Sequence, residues 1–482
     1  MTDGAKKKYK PIVYVIAGTA ALAGLMFGLD VGVISGALPF IQKDFGVGAL
    51  QQEEIVSALL WGATFGALIS GFISKAFGRK ITLLIGAIVF AIGSLACSIA
   101  PTADILIAMR FVLGIAVGIA SFTAPLYLSE IAPKAIRGAL VSMYQLLITI
   151  GIVIAFSSDT YFATYFKVDG VAGGHWRLML GILVVPSTLM FLAMFFLPES
   201  PRWLFLKNFK TKGKEVLLRI RNSESEVKEE IVEIEASFEV KQSGLKLLTS
   251  NKNFRKVIFL GIGLQVIQQL TGINVIMYYA PTIFKIAGFN THAEQMWGTV
   301  LVGCVNVLAT FIAIVFVDKI GRKPIMFGGF VVMGLSMLGV GICFKAGLEN
   351  HPAIVGDVAI AVTNHTLSFV AISFLMLFII GFAGSAGPII WVMCSEIFPL
   401  AGRDLGITVT TCTNWIINGI VGMTFLSLLN GFGHGNTFLL YGFFEILFII
   451  FFIMFVPETK GASLEKIEEN LMNGVALKKI GR

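Results

Sequence analysis

The sequence predicts an all-α membrane protein: twelve transmembrane helices in two pseudo-symmetric six-helix halves, joined by a short cytoplasmic helical linker. Three observations carry that prediction. The 482-residue chain is 56% hydrophobic and only 14% charged, with a mean hydropathy of +0.85, too apolar over too much of its length for an aqueous solvent. Apolar stretches of about 20 residues recur along it, the length that crosses a ~30 Å hydrocarbon core. Three short motifs of the first half also return, in the same order, in the second.

In order, the expected spans are 12–37, 55–75, 81–100, 104–126, 138–160, 178–197, 256–277, 297–317, 324–345, 368–393, 405–428 and 436–456. Lipid offers no partner to a backbone N–H or C=O, so stretches this long and this uniformly apolar must be helices rather than barrel strands. The first follows Lys6, Lys7, Lys8 and Lys10 and superficially resembles a signal peptide, but the apolar run is too long and lacks a cleavage site. One long polar interval, 198–255, is rich in Lys, Arg, Glu and Ser and separates six spans from six. Within it, 224–240 sets Val227, Ile231, Ile234 and Phe238 at helical spacing against many glutamates, the pattern of short amphipathic helices at a membrane surface. The expected divisions are a first half at 1–197, the linker at 198–255, a second half at 256–457 and a cytoplasmic tail at 458–482.

Charge fixes the expected orientation. Of 37 Lys and Arg residues, about 31 fall on the side of the N-terminus. Only Lys43, Lys167, Arg177, Lys285 and Lys345 fall opposite, with Arg110 inside a span, so both termini are expected in the cytoplasm. The net charge of +8 follows from that asymmetry and gives no reason to expect nucleic acid. The five cysteines lie in expected spans without paired or metal-ligand spacing. With no phosphate-binding Gly-rich loop and no H-E-x-x-H helix, neither a nucleotide-driven pump nor a zinc hydrolase is signalled. No cofactor, no metal site and no catalytic residue is expected.

The halves echo each other. Gly78-Arg79-Lys80 after span 2 returns as Gly321-Arg322-Lys323 after span 8, at an offset of 243. Ser129-Glu130-Ile131-x-Pro133-x-x-x-Arg137 returns as Ser395-Glu396-Ile397-x-Pro399-x-x-x-Arg403, at 266, and Pro198-Glu199-Ser200 as Pro457-Glu458-Thr459, at 259. Further motifs are Arg110-x-x-x-Gly114, Pro198-Glu-Ser-Pro-Arg-Trp-Leu204, Gln268-Gln269-x-x-Gly272-x-Asn274-x-x-x-Tyr278-Tyr279 and Pro457-Glu-Thr-Lys-Gly461. Together these resemble the signatures of the sugar porter family within the major facilitator superfamily, over essentially the whole chain. Phe27-Gly-Leu-Asp30, Gly387-Pro-Ile-Ile-Trp391 and Thr413-Asn414-Trp415 are similar to the family's proton-coupled bacterial hexose carriers. The resemblance implies the major facilitator fold, a bacterial inner membrane, and import of a hexose, galactose or glucose, together with a proton. The expected partners are that hexose, the proton and the lipid bilayer, with the chain acting as a monomer. Duplicated halves of this kind place the substrate near the bilayer midplane between them, and rocking of one half against the other gives alternating access.

A sugar's hydroxyls both donate and accept, so its site calls for amide side chains, plus an aromatic face for the C–H side of the ring. The spans contain such residues sparingly: Gln145 in span 5, Gln265, Gln268 and Gln269 in span 7, Asn306 in span 8, Trp391 in span 10, and Asn414 with Trp415 in span 11. Phe27 joins this set by resemblance. Gln265, Gln268, Gln269 and Gly272 share a helix face, whereas Asn274 converges with them only if the helix breaks near Gly272. The competing reading is that these amides hydrogen-bond neighbouring helices together. Ile152, two turns after Gln145, is apolar where the resemblance to the family's xylose carrier implies a polar residue, which leans toward a hexose. By resemblance, Tyr278 and Tyr279 form an outer gate over bound sugar; an interfacial aromatic belt is the alternative.

Asp30 in span 1 and Arg110 in span 4 are charges at bilayer depth, costly unless each faces a cavity or a partner. They are expected to pair. Burial favours a neutral carboxyl and a nearby arginine favours an ionised one; moving the arginine away would therefore make Asp30 take up a proton, unless the pair is only structural. At the cytoplasmic ends of the spans, Glu130, Arg137, Glu396 and Arg403, with Arg79 and Arg322, are expected to form a salt-bridge lock between the halves that holds the outward-facing state, joined by Glu199 and Arg202. Simple charge-set topology is the alternative. Glu445 in span 12 has no expected role. Three other functions remain on the sequence: facilitated sugar diffusion, differing chiefly at Asp30; a sugar sensor, disfavoured because only about 25 residues follow span 12; and a membrane enzyme, disfavoured by the lack of a nucleophile and base constellation.

Overall fold

The computed structural model describes residues 9–133, 136–165, 174–239, 244–348, 353–355, 358–360, 365–462 and 464–481. The basic residues Lys6, Lys7, Lys8 and Lys167, the expected helix terminus Val240 and the Phe238 side chain lie outside that description. Among the described residues, twelve helices are long and apolar enough to cross a membrane. They are span 1 (Pro11–Phe45), 2 (Ala49–Phe77), 3 (Arg79–Ser98), 4 (Ala103–Ile131), 5 (Met143–Thr164) and 6 (His175–Phe195). The second half has span 7 (Lys252–Ile286), 8 (His292–Val317), 9 (Arg322–Leu348), 10 (His365–Ile397), 11 (Arg403–Phe432) and 12 (His434–Phe455). Among the described residues the one departure from an all-α chain is a two-stranded antiparallel ribbon, Ala353–Val355 with Val358–Ile360, between spans 9 and 10.

Local chemistry sets the helix ends. The Thr102 hydroxyl accepts the Ile105 N–H to start span 4, and Thr291 with Glu294 forms a reciprocal capping box at span 8. Span 1 stops at Gly46 in the left-handed conformation. Two spans of the second half are interrupted inside the bilayer. Span 7 breaks at Gly272, whose φ is +89°, and span 10 carries a π-helical turn, Phe382–Ala386, ahead of Pro388.

Backbones approach closely within the first half. Gly24, Gly28, Gly32 and Gly36 recur every fourth residue on span 1 and meet span 5; a Cβ on Gly28 would collide with the Ile148 carbonyl. Spans 2 and 4 meet likewise at Gly62 and Gly114. Small residues in such a stripe replace the hydrophobic driving force that lipid removes. The halves contact each other along spans 1 and 7, 2 and 11, and 5 and 8. Large apolar side chains such as Phe72 and Phe196 point outward, as a lipid solvent allows.

Between the halves lie helices Pro201–Leu206, Lys210–Ile220, Glu224–Glu239 and Gly244–Ser250. The first three attach to the first half: Arg221 pairs with Glu230 and donates to the Ile131 carbonyl at the end of span 4, at 2.8 Å. The fourth packs on the second half, with Gly244 against Leu405. Val227 and Ile234 are buried, the apolar face that helical spacing implies.

Candidate functional site

The break in span 7 organises the amides. A left-handed residue at Gly272 turns the chain so that the Asn274 amide donates to the Gln269 side-chain oxygen, although five residues separate them. The π-helical turn of span 10 presents the Ala386 and Gly387 carbonyls, and the Gln268 amide donates to both, at 3.1 and 2.9 Å. Asn414 on span 11 donates to the side-chain oxygens of Gln265 and Gln268, each at 2.7 Å. Gln265 in turn donates weakly to the Cys394 sulfur at 3.5 Å. Gln265, Gln268 and Asn414 are therefore occupied in tying spans 7, 10 and 11 together, which is the helix-linking role the sequence left open.

The remaining candidates are placed differently. Gln145 and Asn274 are half-buried, and Trp391 is 37% exposed. Trp415 is buried, sits edge-to-face on Phe27 of span 1 at 5.2 Å, and leaves its indole N–H without a partner. Ile152 is buried on span 5. Asn306 is buried on span 8, and none of the amides above bonds to it.

Asp30 and Arg110 do pair, and both are 1% exposed. The contact is long, 3.4 Å from Arg110 Nη1 to Asp30 Oδ1, and Asp30 Oδ2 has no partner among the described residues. Arg110 Nε makes a shorter bond, 2.6 Å, to the Ile55 carbonyl of span 2.

At the end of the bundle where span 1 stops and span 2 starts, spans 2, 7 and 11 meet. Tyr278 and Tyr279 are buried rather than lipid-facing. Tyr278 exchanges hydrogen bonds with Asn418 at 3.2 to 3.3 Å, and Tyr279 donates to the Gly422 carbonyl at 2.8 Å and stacks on Phe425. Three polar residues in this region were not singled out from the sequence. Asn418 bonds to Tyr278; Glu53, at the start of span 2, accepts hydrogen bonds from Ser427 of span 11. Asp159, on span 5, is fully buried against Gly36 of span 1. An acid inside the expected span 138–160 was the available signal for Asp159; Glu53 fell two residues short of the expected span 2. Glu445 on span 12 is also fully buried, beside Gly334 of span 9, and its carboxylate has no hydrogen-bond partner among the described residues.

At the opposite end of the bundle, the residues of the expected lock are engaged as follows. The recorded ion pairs of Arg79 and Arg322 lie within a half rather than between halves. Arg79 grips Glu130 with two bonds of 2.8 Å, and the Ser200 hydroxyl donates to the same carboxylate at 2.6 Å. Glu199 accepts the backbone N–H groups of Arg79, Lys80 and Ser200. Its burial pushes the carboxyl above the usual range despite those donors and the Arg79 charge. The second half repeats the device: Arg322 meets Glu396 at 3.0 Å, Thr459 donates to Glu396, and Glu458 accepts from Arg322 and Lys323. Arg137 and Arg202 are exposed, and Arg403 donates to the Phe398 carbonyl.

The family described as "Sugar (and other) transporter" matches residues 16–471. The chain belongs to this family. The transporter is 51% identical to the galactose-proton symporter of Escherichia coli over 483 aligned positions, covering 100% of this chain and 99% of that one. It is 47% identical to the arabinose-proton symporter of the same species, covering 97% and 95%. A solved structure of the proton:xylose symporter XylE bound to 6-bromo-6-deoxy-D-glucose superimposes with a TM-score of 0.79 at 30% identity, covering 95% of this chain and 99% of that one. The transporter is a membrane carrier with the major facilitator fold and not an enzyme.

Proposed function

We propose that the transporter carries a hexose, galactose or glucose, into a bacterial cell together with a proton, by alternating access, as a monomer in the inner membrane with both termini cytoplasmic. The observation that carries the proton step is the buried Asp30 and Arg110 pair, with one carboxylate oxygen unpartnered. An arginine already committed to the Ile55 carbonyl holds Asp30 only loosely at Oδ1, so neutralising the carboxylate by a proton on the other oxygen gives up a weak charge-assisted contact rather than a strong one. Protonation from the outer side accompanies sugar binding, the outer gate then closes, and loss of the proton inward restores the ionised carboxylate beside Arg110.

Support for the sugar comes from the galactose-proton and arabinose-proton symporters to which the chain is similar. The hydroxyls are assigned to Gln145, Gln269 and Asn274 and the ring face to Trp391, with Phe27 and Trp415 closing the span 1 side. Gln265, Gln268 and Asn414 hold that surface in shape. Buried Ile152 favours a hexose over a pentose pocket. The test is uptake of labelled galactose and glucose into energised vesicles, with and without a protonophore. Accumulation that collapses with protonophore is expected; equilibration indifferent to it would make the carrier a uniporter.

A further inference from the structure

We infer that Glu53 is a positioning residue for transport: with Ser427 it latches the outer gate, so that bound sugar can leave only inward. The inference rests on the proposed function for the direction of transport, and on the geometry alone for the latch. Glu53 is 1% exposed at the outer end of span 2. Its two oxygens accept hydrogen bonds from the backbone N–H and the hydroxyl of Ser427 on span 11, each at 2.7 Å. One partner belongs to each half. Inward from that contact the same two helices pack antiparallel, with Val56 and Leu60 over Gly422 and Trp61 over Gly419. The gate tyrosines of span 7 dock on this stretch too, at Asn418, Gly422 and Phe425. A short segment of span 11 is therefore held by span 7 on one side and by span 2 on the other.

A carboxylate suits a latch. Out of water it is costly unless hydrogen-bonded, so the closed state needs both donors of Ser427. When the outer ends separate, water supplies the same bonds, so the contact does not trap the closed state. The latch is also joined to the proton pair. Arg110 donates to the Ile55 carbonyl, two residues along span 2 from Glu53, so a shift of Arg110 moves the helix segment that carries the latch.

The experiment uses the full-length carrier in right-side-out vesicles, with Val56→Cys as reporter and the parent chain as background for the native cysteines. Val56 is buried against Gly422 while the gate is closed, so an impermeant maleimide reads opening from outside. Glu53→Gln and Ser427→Ala are each expected to raise the labelling rate about tenfold, and the double variant to add little to either. A role in folding alone would lower the amount of carrier without raising its labelling rate. Unchanged labelling in both variants, at normal membrane levels, would overturn the latch. If Glu53→Gln does not reach the membrane, the pair Glu53→Cys with Ser427→Cys decides: oxidation should stop uptake and reduction restore it, and uptake that continues while crosslinked overturns the inference. Labelling requires no transported sugar, so the latch can fail while sugar–proton symport stands, and the reverse.

Discussion

Arg110 meets Asp30 at 3.4 Å while giving its shortest bond, 2.6 Å, to the carbonyl of Ile55. A pair built only for stability would place the guanidinium squarely on the carboxylate. Replacing Asp30 by Asn removes the protonatable group and retains its size. Sugar exchange across the membrane is expected to persist in Asp30→Asn, while accumulation falls to the equilibrium level. Accumulation equal to wild type, measured with the same gradient, would leave the pair structural.

The amides of the second half divide into two groups that mutation separates. Asn414→Ala leaves the oxygens of Gln265 and Gln268 without their shared donor inside the bilayer. A stability loss of about 1–3 kcal/mol is expected, read as a lower melting temperature in detergent. Asn274→Ala and Gln145→Ala act on half-buried side chains, so their KM for sugar should rise several-fold with little change in melting temperature.

Gly272→Ala tests the break in span 7. A φ of +89° costs an L-residue roughly 1–2 kcal/mol, and the new Cβ would lie 2.9 Å from the Tyr441 ring. The expected result is a less stable carrier whose KM also rises, because Asn274 no longer returns to Gln269. A fall in stability alone would mean that the break does not position the amides.

The sequence carried the spans well and their contacts poorly. Twenty-residue apolar runs announce a crossing helix because the hydrocarbon thickness sets a minimum length, but nothing in lipid thickness says where a helix stops in water. Span 1 runs from Pro11 to Phe45, eight residues past its expected end at 37, and span 2 begins at Ala49 rather than 55. That second error hid Glu53. The convergence of Asn274 on Gln269 was legible because the helix period excludes it unless Gly272 breaks the chain. The partners of Glu130 and Glu396 were not, since the same residues can pair within a half or between halves and only the conformation decides.

Glu130 supplies a test of that intra-half arrangement. Its carboxylate holds both Arg79 and the Ser200 hydroxyl that caps helix Pro201–Leu206. Glu130→Gln should loosen the linker from the first half, seen as faster proteolysis at the exposed Lys207, Lys210 and Lys212 in inside-out vesicles. Cleavage at the wild-type rate would mean that the Arg221 bond to Ile131 suffices.

The linker is fastened to the first half as far as Glu239, and its last helix, from Gly244, to the second. Each half thus keeps its own cytoplasmic clasp on its own polypeptide. A gene divided between codons 239 and 244 would yield two fragments, each carrying the linker helices that pack on it, and their co-expression should reconstitute a working carrier by complementation.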